Sequence, residues 1–367
     1  MIYPIGRRAV LGAFASTMLA PLTAPHSALA AVPAVFPGRE WEQVDIGARG
    51  WSAAKLDEAR EAALAMPTGS TFIAQGGRVV ARWGDDARPV RLSSVRKSLL
   101  SALFGIHVRE GRIDLDSTLA QIGIDEDPPL SEIERTATVR MLLQARSGIY
   151  RPYVGGTPAD RARMPAPGSH PPGSFWYYNN WDFNALGTIF ERLSGTSIGA
   201  GFLARIAAPI GMQDLRMEDI TTFAGSGLPV ERSVHPIYHF NMSARDAARF
   251  GHLYLRGGMW GEPEVVPAEW VRESTTAYSS VGQNGYGYLW WIDAWPGVTV
   301  RTFSARGALG KYIIVVPERD LVVVYLNHTA FPSNAAAMSA EELARLPSAN
   351  RAQVGKLLSA ILAAQPG

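Results

Sequence analysis

Apolar residues recur at helical spacing from Trp51 to Met66, with Leu56, Ala59, Ala63 and Leu64 on one side. Two β-rich stretches follow, Ser70–Ala74 and Arg78–Trp83, joined by the hairpin signal Gln75-Gly76-Gly77. From about Ser94 to Tyr278 the pattern is mainly helical, broken by loops rich in Pro and Gly. The longest loop runs from Gly148 to Gly173 and holds Pro152, Pro158, Pro165, Pro167, Pro171 and Pro172. A segment of that length with no pattern of its own is usually functional. After it the β pattern returns in Tyr286–Ile292, Val298–Ser304, Gly310–Val316 and Leu321–Leu326, the last two joined by the turn Pro317-Glu318-Arg319-Asp320. A helix from Arg351 to Leu362 closes the chain. Strands at both ends with helices between them predict an α/β (α+β) fold. One antiparallel sheet is built from both chain ends, and a mainly helical lobe is inserted into it. The α/β lobe is expected over about 31–93 and 280–367, the helical lobe over 94–279.

Composition narrows the chemistry. The 367 residues include no cysteine, which excludes disulfides, zinc–thiolate sites, iron–sulfur clusters and a cysteine nucleophile. Lys and Arg number 35 against 33 Asp and Glu, and no basic run occurs, so no nucleic-acid partner is expected. The histidines show no zinc-binding spacing, and no metal or other cofactor is expected.

The first 30 residues read as an address. Arg7-Arg8 precedes an apolar run from Ala9 to about Leu22, and Ala28-Leu29-Ala30 matches a signal-peptidase site, with cleavage expected after Ala30. Gly6-Arg7-Arg8-Ala9-Val10-Leu11 has the form of a twin-arginine signal, an ordinary Sec signal being the alternative. The run is too short for a stable membrane anchor. A periplasmic or secreted location follows as an expectation. No feature of the sequence bears on oligomeric state.

Three local features carry candidate chemistry. In Ser94-Val95-Arg96-Lys97, Ser93 or Ser94 stands where a helix begins, and from Ser98 to Ile106 that helix is apolar on nearly every side. Lys97 lies one turn from Ser94 on the same face. A buried ammonium loses pKa through desolvation and becomes able to take a proton from the serine. Read alone, the same pattern fits a helix-capping serine and a solvated lysine. The second feature is Tyr177-Tyr178-Asn179-Asn180, where a phenol and an amide could serve proton transfer and orientation. The plain alternative is a helix start capped by Asn. The third is Ser304-Ala305-Arg306-Gly307-Ala308-Leu309-Gly310, whose glycines permit close backbone approach to a ligand or simply form a turn. Tyr150 and Tyr153, in the long loop, are candidate pocket residues. Gly195-Thr196-Ser197-Ile198-Gly199 matches a nucleophile elbow, but a helical pattern precedes it, so it is expected to be a helix–helix turn.

In order and spacing the three features resemble the penicillin-binding and serine β-lactamase superfamily, with its S-x-x-K, Y-x-N and K-T-G signatures. Further stretches resemble the class C-like branch. These are Gly111-Arg112-Ile113-Asp114-Leu115-Asp116, Leu142-Leu143-Gln144-Ala145-Arg146-Ser147-Gly148, Ser243-Ala244-Arg245-Asp246-Ala247-Ala248-Arg249-Phe250-Gly251 and Gly285-Tyr286-Gly287-Tyr288-Leu289-Trp290-Trp291. The resemblance covers nearly all of 40–330 and is closest to the branch of 6-aminohexanoate-dimer hydrolases, esterases and D-peptidases. It implies a β-lactamase-like fold and a serine hydrolase. Ser94 would be the nucleophile, Lys97 and Tyr178 the acid/base groups, and Asn180 the third member of Tyr-x-Asn. The backbone N–H groups of Ser94 and Ala308 would form the oxyanion hole.

The chain departs from the pattern at K-T-G, where Ala305, Arg306 and Gly307 stand. The family's lysine or histidine at the first position helps to bind a carboxylate, which alanine cannot do. Arg306 points to the opposite face of a strand. Hydrolysis of another amide or ester, as a small-molecule substrate, is therefore expected ahead of β-lactamase or D,D-peptidase activity. A non-catalytic sensor or binding protein of the same fold is a further alternative.

Overall fold

The computed structural model describes residues 35–366, so the expected signal segment lies outside the described residues. An eight-stranded, fully antiparallel sheet has the order β2-β1-β11-β10-β9-β8-β7-β6. The N-terminal half supplies β1 (Gly69–Gln75) and β2 (Arg78–Trp83). The C-terminal half supplies β6 (Ser279–Val281), β7 (Asn284–Tyr286), β8 (Trp291–Asp293), β9 (Thr302–Gly307), β10 (Lys311–Val316) and β11 (Leu321–Asn327). The two halves meet where β1 pairs with β11, Gly69 opposite Asn327 through Gln75 opposite Leu321.

The central strands are apolar at successive positions because both sheet faces are covered. Leu321, Val323 and Tyr325 of β11 face a core shared with α1 (Ala53–Leu64) and α10 (Arg351–Ala364), through Leu56, Ala59, Val354, Leu357 and Ile361. Val322, Val324 and Leu326 face a second, larger core. That core is filled by α2 (Arg96–Arg109), α3 (Val139–Leu143), α5 (Asn180–Ser194), α6 (Ile198–Phe202), α7 (Ala244–Leu255) and α8 (Ala268–Ser274). Burying each Leu, Val or Ile contributes about 1.5–3 kcal/mol. Helix α2 runs through the middle of this core, with every residue from Arg96 to His107 buried. The expectation placed burial from Ser98 onward; within α2 it begins two residues earlier and takes in two basic side chains, Arg96 and Lys97.

Several expectations are corrected. Leu64 is 68% exposed, because it is the last residue of α1 and lies past the contact with α10. The stretch Tyr286–Ile292 is two strands, not one. A turn closed by Gly287 N–H on the Trp290 carbonyl (2.9 Å) separates them. The strand expected at Val298 begins at Thr302. The middle of the chain is not purely helical: β3 (Val90–Arg91), β4 (Ile220–Phe223) and β5 (Ile237–Met242) form a small sheet of order β3-β5-β4. The long Pro-rich loop contains α4 (Pro158–Arg163), started by a Thr157–Asp160 capping box. Another short helix, α9 (Ala340–Ala344), precedes α10. The Gly195–Gly199 stretch is a helix–helix turn: Gly195 is the left-handed cap of α5 and Ser197 caps α6.

Candidate active site

The chain reaches Ser94 from the small sheet. Val90 and Arg91 pair with Met242 and Asn241, and Leu92 N–H donates to the Phe240 carbonyl at 2.9 Å. Ser93 then adopts a left-handed conformation (φ 51°), and a single 3-10 turn, Ser93–Val95, leads into α2. From the other side β9 presses against this turn. A Cβ on Gly307 would lie 2.3 Å from the Leu92 carbonyl oxygen and 3.3 Å from Ser93 Cβ. Only a residue without a side chain lets the sheet approach the serine so closely.

Lys97 is 1% exposed, and three oxygens surround its nitrogen. Nζ lies 3.0 Å from Ser94 Oγ, 2.8 Å from Tyr178 Oη and 2.6 Å from Asn180 Oδ1. It also sits 4.2 Å from the ring centroids of both Tyr178 and Phe183. No carboxylate forms an ion pair with it among the described residues. Burial, and next the charge of Arg96, hold its pKa well below the usual lysine value, against a weaker upward pull from Asp160. A neutral amine has two N–H donors and one lone pair. Three oxygen neighbours match that set, with Asn180 and Tyr178 accepting and Ser94 donating.

Burial pushes the Tyr178 phenol up, while Ser94, Arg96 and Arg306 pull it down. It is thus a neutral donor at ordinary pH. Its ring is stacked on Trp291 (5.6 Å, 25° between planes), and Phe183 abuts its edge. The two neighbouring asparagines divide the work. Asn179 caps α5 through Trp181 N–H and donates to the Ile149 carbonyl at 2.6 Å. Asn180 turns to the lysine and donates its amide to Tyr153 Oη at 3.3 Å. Beneath them, Ser147 donates to buried Asp182, whose carboxyl pKa is raised well above normal by desolvation.

A cavity of about 770 Å³ opens on the serine, lined by Ser94, Tyr153, Tyr177, Tyr178, Asn180 and Ala308 among others. Ser94 and Ala308, the expected oxyanion-hole pair, therefore border the same space. A larger cavity of about 1430 Å³ adjoins it across Leu228, Ala336 and Ala337, under the Gly148–Gly173 loop.

Comparison with known proteins identifies the architecture. The Beta-lactamase family model matches residues 53–346. The chain belongs to the beta-lactamase family. Among solved structures it is similar to a protein assigned as 6-aminohexanoate-dimer hydrolase from Bacillus anthracis. That match has 20% identity and a TM-score of 0.59, and covers 85% of this chain and 86% of the other. A penicillin-binding protein homologue from Caulobacter crescentus matches with 16% identity and a TM-score of 0.59, covering 86% and 99% of the two chains. A D-stereospecific amidohydrolase from Streptomyces matches with 21% identity and a TM-score of 0.54, covering 75% and 94%. At these identities the likeness is one of fold.

Within this beta-lactamase-family fold, three expected site residues lie elsewhere. Ala305 is fully buried in the larger core, opposite Ile313 of β10, and is not among the residues lining the cavity at Ser94. Arg306 turns to the other face of β9. It pairs with Asp293, donates to Ser304 Oγ (3.0 Å) and Asn284 Oδ1 (3.2 Å), and lies over Trp291 and Trp295. Strand alternation sends it there. Arg306 and Tyr178 both lie against the Trp291 ring. Tyr150 is 2% exposed and borders the adjoining cavity, where its ring meets His170 and Tyr177 edge-on. Tyr153, three residues on, does reach the cavity at Ser94. Arg96 and Asp160, which also line that cavity, were not singled out from the sequence. Arg96 stood inside the motif as one of its variable positions.

Proposed function

We propose that this chain is a serine hydrolase that cleaves an amide or ester bond through an acyl-enzyme on Ser94. One observation carries the reading: Ser94 Oγ, Tyr178 Oη and Asn180 Oδ1 all meet the nitrogen of a buried lysine that has no carboxylate partner among the described residues. Neutral Lys97 accepts the Ser94 proton as Oγ bonds to the substrate carbonyl carbon. The resulting oxyanion takes hydrogen bonds from the backbone N–H groups of Ser94 and Ala308, each such donor being worth ~3–4 kcal/mol in the transition state. Tyr178 gives its proton to the leaving nitrogen or oxygen as that bond breaks, and recovers one from Lys97 across 2.8 Å. Water then attacks the acyl-enzyme, its proton passing to the same pair, and Ser94 is released.

The substrate class follows from what borders the serine. Ala305 stands where the family's signature has a cation, and Arg306 is engaged with Asp293, so neither offers the carboxylate site that a β-lactam or a D-Ala terminus uses. The adjoining cavity gives room for the part of the substrate remote from the scissile bond. The Arg7-Arg8 segment supports action in the periplasm or outside the cell.

The test is a hydrolysis panel of p-nitrophenyl esters, linear amides, D-peptides and nitrocefin, with Ser94→Ala as the blank. Ester or amide turnover lost in Ser94→Ala supports the reading. Full activity of that variant on a p-nitrophenyl ester overturns it. Turnover confined to nitrocefin, or stable labelling by a fluorescent penicillin, makes the chain a β-lactamase or penicillin-binding protein instead. A serine inert to fluorophosphonate in an otherwise inactive protein makes it a binding protein of this fold.

A further inference from the structure

Arg96 stands next to Lys97 at the start of α2 and is 3% exposed. Its Nη2 donates to Asn184 Oδ1 at 3.1 Å, and its guanidinium lies 4.2 Å over the Tyr238 ring. Nη1 is buried with no acceptor. Among the described residues it forms no ion pair. Its two sequence-distant partners, an amide and an aromatic face, can hold a guanidinium in place but cannot cancel its charge. An arginine stays protonated at any working pH, and a buried unpaired charge is destabilising. The fold keeps this one in the wall of the cavity that Ser94 and Tyr178 also line.

We propose that Arg96 is a positioning residue of the site, a guanidinium left without a counter-ion so that its field keeps Lys97 a neutral amine and eases proton loss from Tyr178. This inference rests on the acyl-enzyme reading above. Among charged groups, Arg96 acts most strongly to lower both Lys97 and Tyr178.

The other groups around the pair leave this role to Arg96. Asp160, from α4, pulls Lys97 upward, but its oxygens are occupied by Thr157 and Arg163. From α5 and the residues before it, Asn180 is neutral and Tyr178 is raised. From β5, Tyr238 is raised to about 12, and His239 is held neutral with a pKa of about 3 by burial, then by Arg96 and Arg91. Arg306 acts on Tyr178 from behind Trp291.

The experiment is the pH profile of kcat/KM on p-nitrophenyl acetate for the full chain and three variants. Arg96→Gln removes the charge, and Lys97 should then need a higher pH to become neutral. The acid limb is expected to move up by about one unit, with roughly tenfold less activity below the limb and a smaller loss above it, where Lys97 is neutral in both proteins but Tyr178 has lost the field of Arg96. Asn184→Asp leaves Arg96 in place and hands it a carboxylate; the limb should move the same way. Arg96→Lys keeps a charge and should return the limb most of the way to its wild-type position.

A purely structural arginine gives the opposite result: activity falls equally at every pH and the limb stays. That outcome in folded Arg96→Gln, or in Asn184→Asp should Arg96→Gln not fold, overturns the inference. Activity surviving in Ser94→Ala would instead overturn the acyl-enzyme reading.

Discussion

Asn180 Oδ1 accepts from Lys97 Nζ at 2.6 Å, while the amide nitrogen of the same side chain donates to Tyr153 Oη at 3.3 Å. The two contacts fix which way the amide points, so the lysine always meets an oxygen. The acceptor is neutral and orients the amine without stabilising its charged form. Asn180→Asp keeps the shape and adds the charge. Lys97 should then remain protonated at neutral pH. We expect kcat/KM at pH 7 to fall by about 100-fold and to recover in part as pH rises. Asn180→Ala should cost about tenfold with no movement of the limb. Steady-state kinetics across pH separates the two.

The wild-type pH profile has its own expected form. Lys97 must be neutral and is depressed by burial and by Arg96; Tyr178 must be protonated and is raised by burial. Activity should rise as pH passes a limb well below 10.5 and hold a broad plateau. It should fall only above pH 10. A narrow bell centred near pH 6, measured as kcat/KM, would contradict this assignment.

The same lysine is a stability cost. A depressed folded-state pKa means that the unfolded chain binds one more proton between that pKa and about 10.5, so wild-type stability rises with pH across this window. Lys97→Met removes the buried amine and the linked proton. It should abolish hydrolysis, yet melt a few degrees higher than wild type at pH 7. That advantage should shrink as pH approaches 10. Thermal unfolding at several pH values provides the check.

Gly307 offers a test of geometry without charge. A Cβ there meets the Leu92 carbonyl at 2.3 Å, and backbone cannot swing aside as a flexible side chain would. Gly307→Ala should force β9 away from the serine turn and lower the rate of fluorophosphonate labelling by about tenfold or more. The overpacking itself is expected to cost about 1–3 kcal/mol of stability.

Much of this arrangement was legible in the sequence. The long apolar runs of β10 and β11 and the all-round apolar α2 announced themselves because burial on both sides removes polar positions. Helical spacing put Lys97 within reach of Ser94, and the resemblance to the S-x-x-K signature chose that reading over a capping serine beside a solvated lysine. What escaped depended on contacts between distant segments. Strands β3 and β4 are two and four residues long, too short to carry a clear period, whereas β5 does alternate, with Tyr238, Phe240 and Met242 turned inward, and escaped because it lies within a mainly helical stretch. The turn inside Tyr286–Trp291 hid among aromatic residues typical of strands. Tyr150 and Tyr153 read alike in a Pro-rich loop, and only the folded path sends one to each cavity. Arg96 could not be singled out, since its lack of a counter-ion is a property of its surroundings rather than of its neighbours in sequence.

The pairing of β1 with β11 makes the two ends of the described chain interdependent. Strand β9, which backs the serine through Gly307, is held in the sheet by β10, and β10 by β11. A chain ending before Leu321 would contain Ser94, Lys97, Tyr178 and Asn180, yet β1 and β10 would have no strand between them. Loss of β11 therefore removes, two strands away, the support that β9 gives to the turn carrying Ser94.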